Sequence, residues 1–199
     1  PLWGFSEIAD EIHESDIIPF DDPVLLWSQS IASPGLDRFF VVMSELGFLW
    51  FLVPANLVLV AGLAWAGRTR HSVFAAVALG GSALLNLAAK LVFSRERPAL
   101  WESIIEETSW SFPSGHAMGA MSFAVVVALL SRHTRLFVPA AMLGFGFAVL
   151  VSYSRVYLGV HYPSDILAGW AAASAWVVGC YGFAFGPRRL RAFAHERRG

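Results

Sequence analysis

The stretch LGFLWFLVPANLVLVAGLAWAG, residues 46–67, carries no charged residue across 22 positions. A helix needs about 20 apolar residues to cross a bilayer core roughly 30 Å thick. Four more intervals read the same way: 72–94, broken only by Lys90; 108–131, with its helix expected to start near Ser114; 136–154; and 166–187. Together they predict an all-α, polytopic integral membrane helix bundle with five transmembrane spans in this chain. Composition agrees, with 56% hydrophobic and 15% charged residues and a mean hydropathy of +0.58, which excludes a typical soluble domain. A net charge of −1 excludes a basic nucleic-acid binder. The single cysteine, Cys180, excludes a disulfide framework or a cysteine-cluster metal site.

The loops between these intervals alternate in charge, and arginine and lysine in short loops set orientation. Arg68 and Arg70 follow the first interval, Arg132 and Arg135 the third, and Arg188, Arg189, Arg191, Arg197 and Arg198 the fifth. These segments are expected in the cytoplasm. Residues 95–113 and 155–165 then face the opposite side, as do the first 45 residues, which hold nine acids and one arginine. From Trp3 to about Leu36 apolar residues such as Ile8, Ile12, Leu25 and Trp27 alternate with acids, as in amphipathic helices lying at the outer interface. The domain reading is an extracytoplasmic amphipathic leader over 1–45, a transmembrane domain over 46–187 and a basic cytoplasmic tail over 188–199. Pro1 opens on neither a signal peptide nor an anchor, so a further span upstream of it is expected.

Ionisable residues gather at the outer ends of the intervals. Lys90 lies about one turn inside the end of the second, where a charge is costly unless it snorkels or has a purpose. Arg97 is followed by Pro98, which is expected to end that helix and hold the arginine at its mouth. Arg95, close by, reads as a surface or headgroup contact. Next, Phe112-Pro113-Ser114-Gly115-His116 introduces the third helix, with Ser114 as N-cap and Gly115 permitting close backbone approach. A helix start of this kind offers free amides and a positive dipole end to an anion. Ser154-Arg155 closes the fourth interval, and His161 precedes Asp165 by four residues. That spacing allows a carboxylate to fix one imidazole nitrogen and leave the other free to attack. An unrelated interfacial histidine beside a helix-start carboxylate would look the same.

Taken together, the chain resembles the phosphatidic acid phosphatase type 2 superfamily of lipid phosphatases. The motif Lys-x6-Arg-Pro matches Lys90, Arg97 and Pro98; Pro-Ser-Gly-His matches Pro113 to His116; and Ser-Arg-x5-His-x3-Asp matches Ser154, Arg155, His161 and Asp165. The resemblance covers about residues 40–186. Membrane members have six helices and an extracytoplasmic site, so the first helix is expected to be the one absent from this sequence. The resemblance implies that Lys90, Arg97, Arg155 and the amides near Ser114 and Gly115 bind a substrate phosphate. It further implies that His161, oriented by Asp165, attacks phosphorus to give a phosphohistidine, while His116 protonates the leaving group and later activates water. A bell-shaped pH profile would follow.

No metal or other cofactor is expected. The partners implied are the bilayer and a membrane lipid phosphate: phosphatidic acid, phosphatidylglycerophosphate or undecaprenyl pyrophosphate. The setting implied is a bacterial inner membrane, with the site facing the periplasm. A lipid phosphotransferase using the same covalent step, a transporter or channel, and a vanadate haloperoxidase are the alternatives. Trp101, Trp110 and Tyr157 are read as interfacial aromatics or substrate-groove residues. Oligomeric state is not legible.

Overall fold

The computed structural model describes residues 18–186, and among these every regular element is helical. In chain order they are α1 (Asp21–Ser30), α2 (Pro34–Glu45), α3 (Leu52–Trp65), α4 (Thr69–Phe93), α5 (Gly115–Ser131), α6 (Phe137–Tyr157) and α7 (Pro163–Phe185). A π-helical turn, Leu46–Trp50, joins α2 to α3. The expected readings of residues 3–17 and of the basic tail lie outside the described residues.

Four runs are long and apolar enough to cross a membrane: Pro34–Trp65, Thr69–Phe93, Phe137–Tyr157 and Pro163–Phe185. Gly115–Ser131, a fifth apolar helix, is shorter at 17 residues. The first run begins well before residue 46, because Asp37, Arg38 and Glu45 interrupt the charge-free stretch without interrupting the helix. Ser33 caps it by accepting from Leu36 N, Pro34 occupies its first turn, and Asp37 accepts from the Tyr157 hydroxyl at 2.7 Å. The border expected at 45/46 therefore falls inside a helical run. Its irregularity has two causes. Pro54 cannot donate a backbone hydrogen bond, and Gly47 lies so close to α6 that a Cβ there would come within 2.3 Å of Val151 Cγ1.

α5 is the centre of the bundle. Its residues Met118, Ala120, Ala124 and Val126 are buried among Phe74, Ala75 and Ala78 of α4, Ala148 and Val151 of α6, and Ala173 and Val177 of α7. Small residues allow this close approach, as in other membrane bundles. Polar groups between the helices pair with one another: Ser122 donates to Ser82 Oγ at 2.7 Å, and Trp176 donates to the Ala78 carbonyl at 3.0 Å. Large apolar side chains such as Leu57, Leu91 and Leu143 point outward, which suits lipid and not water.

Gly144 meets α5 where nothing can yield, since an added Cβ would lie 3.2 Å from Ala124 Cα. Gly144→Val is therefore expected to cost about 1–3 kcal/mol by overpacking. A lowered thermal midpoint in detergent would report it, and an unchanged midpoint would show that α5 and α6 can separate freely.

The two ends of the bundle differ in chemistry. At one end, Arg70 lies 4.9 Å from the Phe185 ring centroid and Arg132 lies 4.7 Å from that of Tyr181, both on the end of α7. At the other, α4, α5 and α6 and the start of α7 converge beneath the segment 94–114. α1 packs there too, burying Leu25 against α6 and α7 while Leu26 and Trp27 stay exposed, the amphipathic pattern expected of this part of the leader. Tyr157 is buried, at 4% exposure, and is a packing residue with bonds to Ser33 and Asp37 instead of an interfacial aromatic. Its place inside α6 turns it toward α2, a direction that its position at a span end does not reveal.

Candidate active site

α4 ends at Phe93 because Ser94 adopts a left-handed conformation with φ of 43°. The termination thus precedes Pro98, which lies beyond it in a stretch without regular secondary structure. Lys90, in the last turn, directs its ammonium inward to Ser109 Oγ at 3.0 Å and to the Trp110 carbonyl. It therefore tethers the segment 94–114 and does not snorkel to the surface. Gly159, with φ of +72°, turns the chain between α6 and α7 and lies under the Trp101 ring, which an added Cβ would approach to 2.7 Å. That turn delivers His161 to the bundle interior, where it is 1% exposed.

His161 has two distinct nitrogens. Nδ1 lies 3.3 Å from Asp165 Oδ2, and Arg97 Nη1 lies 3.2 Å from Nε2. An ionised carboxylate can only accept and a guanidinium can only donate, so Nδ1 carries the proton and Nε2 carries the lone pair. Burial pushes the His161 pKa down to about 4, with Arg155 and Arg97 acting in the same direction and Asp165 opposing them. The ring is thus neutral near pH 7. Asp165 Oδ2 also accepts from Ser111 Oγ and from Tyr162 N at 2.9 Å, so the same carboxylate caps α7.

A cavity of about 470 Å³ opens beside this pair. Lys90, Arg97, Arg155, Gly115, His116 and His161 line its polar end, and Leu52, Val53, Leu79, Ala83 and Leu87 line its apolar part between α3, α4 and α5. Residues far apart in sequence thus face one space. Arg155, 1% exposed, donates to Ser44 Oγ and to Glu107, while its Nε has no hydrogen-bond partner among the described residues. Arg97 donates to the Ser109 carbonyl at 2.8 Å and to the Val160 carbonyl at 2.6 Å.

Ser114 is the exception among the expected phosphate-binding residues. Its hydroxyl accepts from Ala117 N at 3.5 Å, and its own N–H donates to the Asp165 carbonyl at 3.2 Å. It does not line the cavity, whereas Gly115 does. Its place is that of a helix cap and a brace for α7, because the start of α7 passes directly against the start of α5.

Two residues were not singled out by motif. Glu107 offers one carboxylate oxygen to Arg155 and the other to Arg97 Nη2 at 3.4 Å. Burial alone would raise its pKa, but the charge of Arg155, its hydrogen bond and the charge of Arg97 hold it below the usual carboxylate range. An anion thus already bridges the two guanidinium groups. The one hint in sequence is the Glu106-Glu107 pair in a short outer loop. Arg95 is the other such residue: it is no headgroup contact, but turns inward to Asp165 Oδ1 at 2.6 Å and Asp21 Oδ2 at 2.9 Å. Among the described residues no group of three or more His, Cys, Asp or Glu is placed to hold a metal ion.

The chain is 31% identical to phosphatidylglycerophosphatase B of Bacillus subtilis, with 84% of each chain covered. It is 36% identical to the undecaprenyl-diphosphatase of Sulfolobus acidocaldarius, over 71% of this chain and 67% of that one. The crystal structure of a transmembrane PAP2-type phosphatidylglycerolphosphate phosphatase from Bacillus subtilis superposes with a TM-score of 0.77 at 29% identity, covering 90% of this chain and 91% of that one. The PAP2 superfamily match spans residues 71–189, an interval that contains Lys90, Arg97, Ser114, Gly115, His116, Arg155, His161 and Asp165, and the chain belongs to the PAP2 superfamily.

Proposed function

We propose that this chain is an integral membrane lipid phosphatase that hydrolyses a phosphomonoester or pyrophosphate of a lipid through a phosphohistidine. One observation carries the reading: a neutral, oriented imidazole and a set of cations share a cavity that also presents the apolar side chains of Leu52, Val53, Leu79, Ala83 and Leu87. A phosphate would sit at the polar end and an acyl or prenyl chain against Leu52, Leu79 and Leu87. The domain reading is a leader up to residue 45, whose last turns belong to the helical run Pro34–Trp65, then a phosphatase domain over 46–187 and a basic tail. The arginines near α7's far end favour a cytoplasmic position for that end, which supports a site at the opposite face, the periplasmic one if the membrane is a bacterial inner membrane.

Catalysis then runs in two steps. The phosphoryl oxygens take the guanidinium donors of Arg97 and Arg155, the Lys90 ammonium and the Gly115 amide, an arrangement that gains strength as charge spreads over the equatorial oxygens. Drawing Arg97 onto the anion releases the Nε2 lone pair. Nε2 forms a bond to phosphorus as the ester P–O bond breaks, and His116 gives its proton to the departing oxygen. In the second step water gives a proton to His116 and attacks phosphorus, breaking the P–N bond and releasing orthophosphate. Asp165 holds the tautomer throughout.

Glu107 stands where this anion would bind, so it must yield. Glu107→Gln removes the competing charge, and vanadate is expected to inhibit that variant about tenfold more tightly, equivalent to about 1.4 kcal/mol. Unchanged or weaker inhibition would show that Glu107 does not occupy the phosphate position.

The direct test is phosphate release by the purified protein from phosphatidic acid, phosphatidylglycerophosphate and undecaprenyl pyrophosphate, in excess EDTA. Turnover of at least one lipid is expected to persist under chelation. A strict divalent-ion requirement would refute the metal-independent scheme, and transfer to an added lipid or sugar alcohol in place of water would identify a phosphotransferase.

A further inference from the structure

Behind the imidazole lies a second shell of charge in which no atom lines the cavity. Arg95 forks between two carboxylates: Nη1 donates to Asp165 Oδ1 at 2.6 Å, and Nη2 donates to Asp21 Oδ2 at 2.9 Å. Nη1 also donates to Ser164 Oγ at 2.8 Å, and the guanidinium carbon lies 4.0 Å from the Tyr162 ring centroid. Asp21 is itself held, accepting from Ser164 N at 2.9 Å and from Ser164 Oγ at 2.6 Å. Both carboxylates are buried, Asp21 at 3% and Asp165 at 0% exposure. The start of α1, the start of α7 and the segment after α4 thus meet at one guanidinium.

We propose that Arg95, anchored by Asp21, is a positioning residue for the His161–Asp165 pair, fixing the Asp165 carboxylate from the side opposite the imidazole and balancing its charge. This rests on the reading of His161 as nucleophile. Arg95 cannot act on substrate directly, because it does not line the cavity and binds the Asp165 oxygen that His161 does not use.

Two physical consequences make arginine specific here. Its planar fork can satisfy both carboxylates at once, which a lysine ammonium on a single point cannot do. Its charge also offsets that of Asp165, so that the carboxylate orients the ring without drawing a second proton onto it. An imidazolium has no lone pair with which to attack. Other charged and titratable groups face His161 from each neighbouring element: Arg155 on α6, His116 on α5, Lys90 on α4, and Arg97 and Glu107 in the segment 94–114. Tyr162 follows it directly and stacks on Arg95. None of them touches Asp165 Oδ1 in place of Arg95.

The test compares Arg95→Gln, Arg95→Lys and Asp21→Asn in detergent with a lipid phosphate substrate, using His161→Ala as reference. Arg95→Gln is expected to lower kcat about 10- to 100-fold with KM little changed, as loss of an orienting outer partner does elsewhere. It should also displace the acid limb of kcat/KM upward by about one pH unit or more, since Asp165 then stabilises the imidazolium. The second ionisation of the substrate phosphate is common to both enzymes and cancels in the difference. Arg95→Lys is expected to restore the limb, which needs charge, but not kcat, which needs the fork. Asp21→Asn, which keeps the size of the side chain, should lower kcat with a smaller displacement of the limb. Wild-type kcat and limb in Arg95→Gln overturn the proposal. If that variant does not fold, wild-type kcat and limb in Asp21→Asn overturn it equally. Activity in His161→Ala would instead remove the nucleophile reading and leave Arg95 as a structural brace.

Discussion

Replacing His161 by alanine is expected to abolish lipid phosphate hydrolysis, with a loss of roughly 10⁴-fold or more, as removal of a covalent nucleophile does in other enzymes. Nε2 is the one lone pair that the site brings to the polar end of the cavity with its proton placement fixed, since Arg97 faces it at 3.2 Å and Nδ1 faces Asp165. His116 lines the same space, but among the described residues no carboxylate pairs with it as Asp165 pairs with His161. Without His161 no P–N bond can form, so the acid-labile, base-stable label that a radiolabelled substrate leaves on the wild-type protein should vanish as well. Folding should survive, because Asp165 keeps its bonds from Arg95, Ser111 and Tyr162. The decisive measurement is single turnover stopped with an alkaline denaturing quench, which preserves a P–N bond, alongside a thermal melt. Sustained turnover, or a label that remains, would reject the assignment.

The second large effect is expected at Arg155. Arg155→Gln removes a buried donor from the phosphate end of the cavity, and comparable donors contribute roughly 10²- to 10³-fold to kcat. It also strands Glu107, whose carboxylate then keeps only Arg97. Breaking one side of a fully buried ion pair costs about 3–5 kcal/mol; the Glu107 side chain is 25% exposed and keeps Arg97, so stability should fall along with activity but by less than that. The two losses are separable. In Arg155→Gln/Glu107→Gln the uncompensated charge is gone, and the melting temperature is expected to recover while kcat stays low. Recovery of kcat in the double variant would mean that Arg155 serves only to neutralise Glu107. Non-additivity of the pair in stability, but not in rate, is the signature of the proposed division of roles.

Much of this architecture is legible along the chain. The apolar intervals mark α3 to α7 to within a few residues, and Ser114 and Pro163 announce the starts of α5 and α7 as caps do. His161 and Asp165 are legible as a pair because four residues across a helix start bring their side chains together, at 3.3 Å. The failures have physical causes of their own. A charge-free interval measures hydropathy and not helix length, so it misses the turns of α2 that carry Asp37, Arg38 and Glu45. By local rules Pro98 stops α4, yet the left-handed turn at Ser94 has already done so. Ser114 has the amide of a helix start, but whether that amide faces a ligand depends on what packs on it, and Asp165 does.

The order of apolar spans and the end at which the motifs collect are properties of the linear sequence, because bilayer thickness and helix rise act on local stretches of chain. Which way Arg95 and Glu107 point is not. Both belong to the segment 94–114, which has no periodic pattern to assign its faces, and their partners lie 74 residues away at Asp21, 70 at Asp165 and 48 at Arg155. Long-range charge pairing of this kind is settled only when the helices have packed, since packing alone fixes which carboxylates are removed from water and must therefore be matched by a cation.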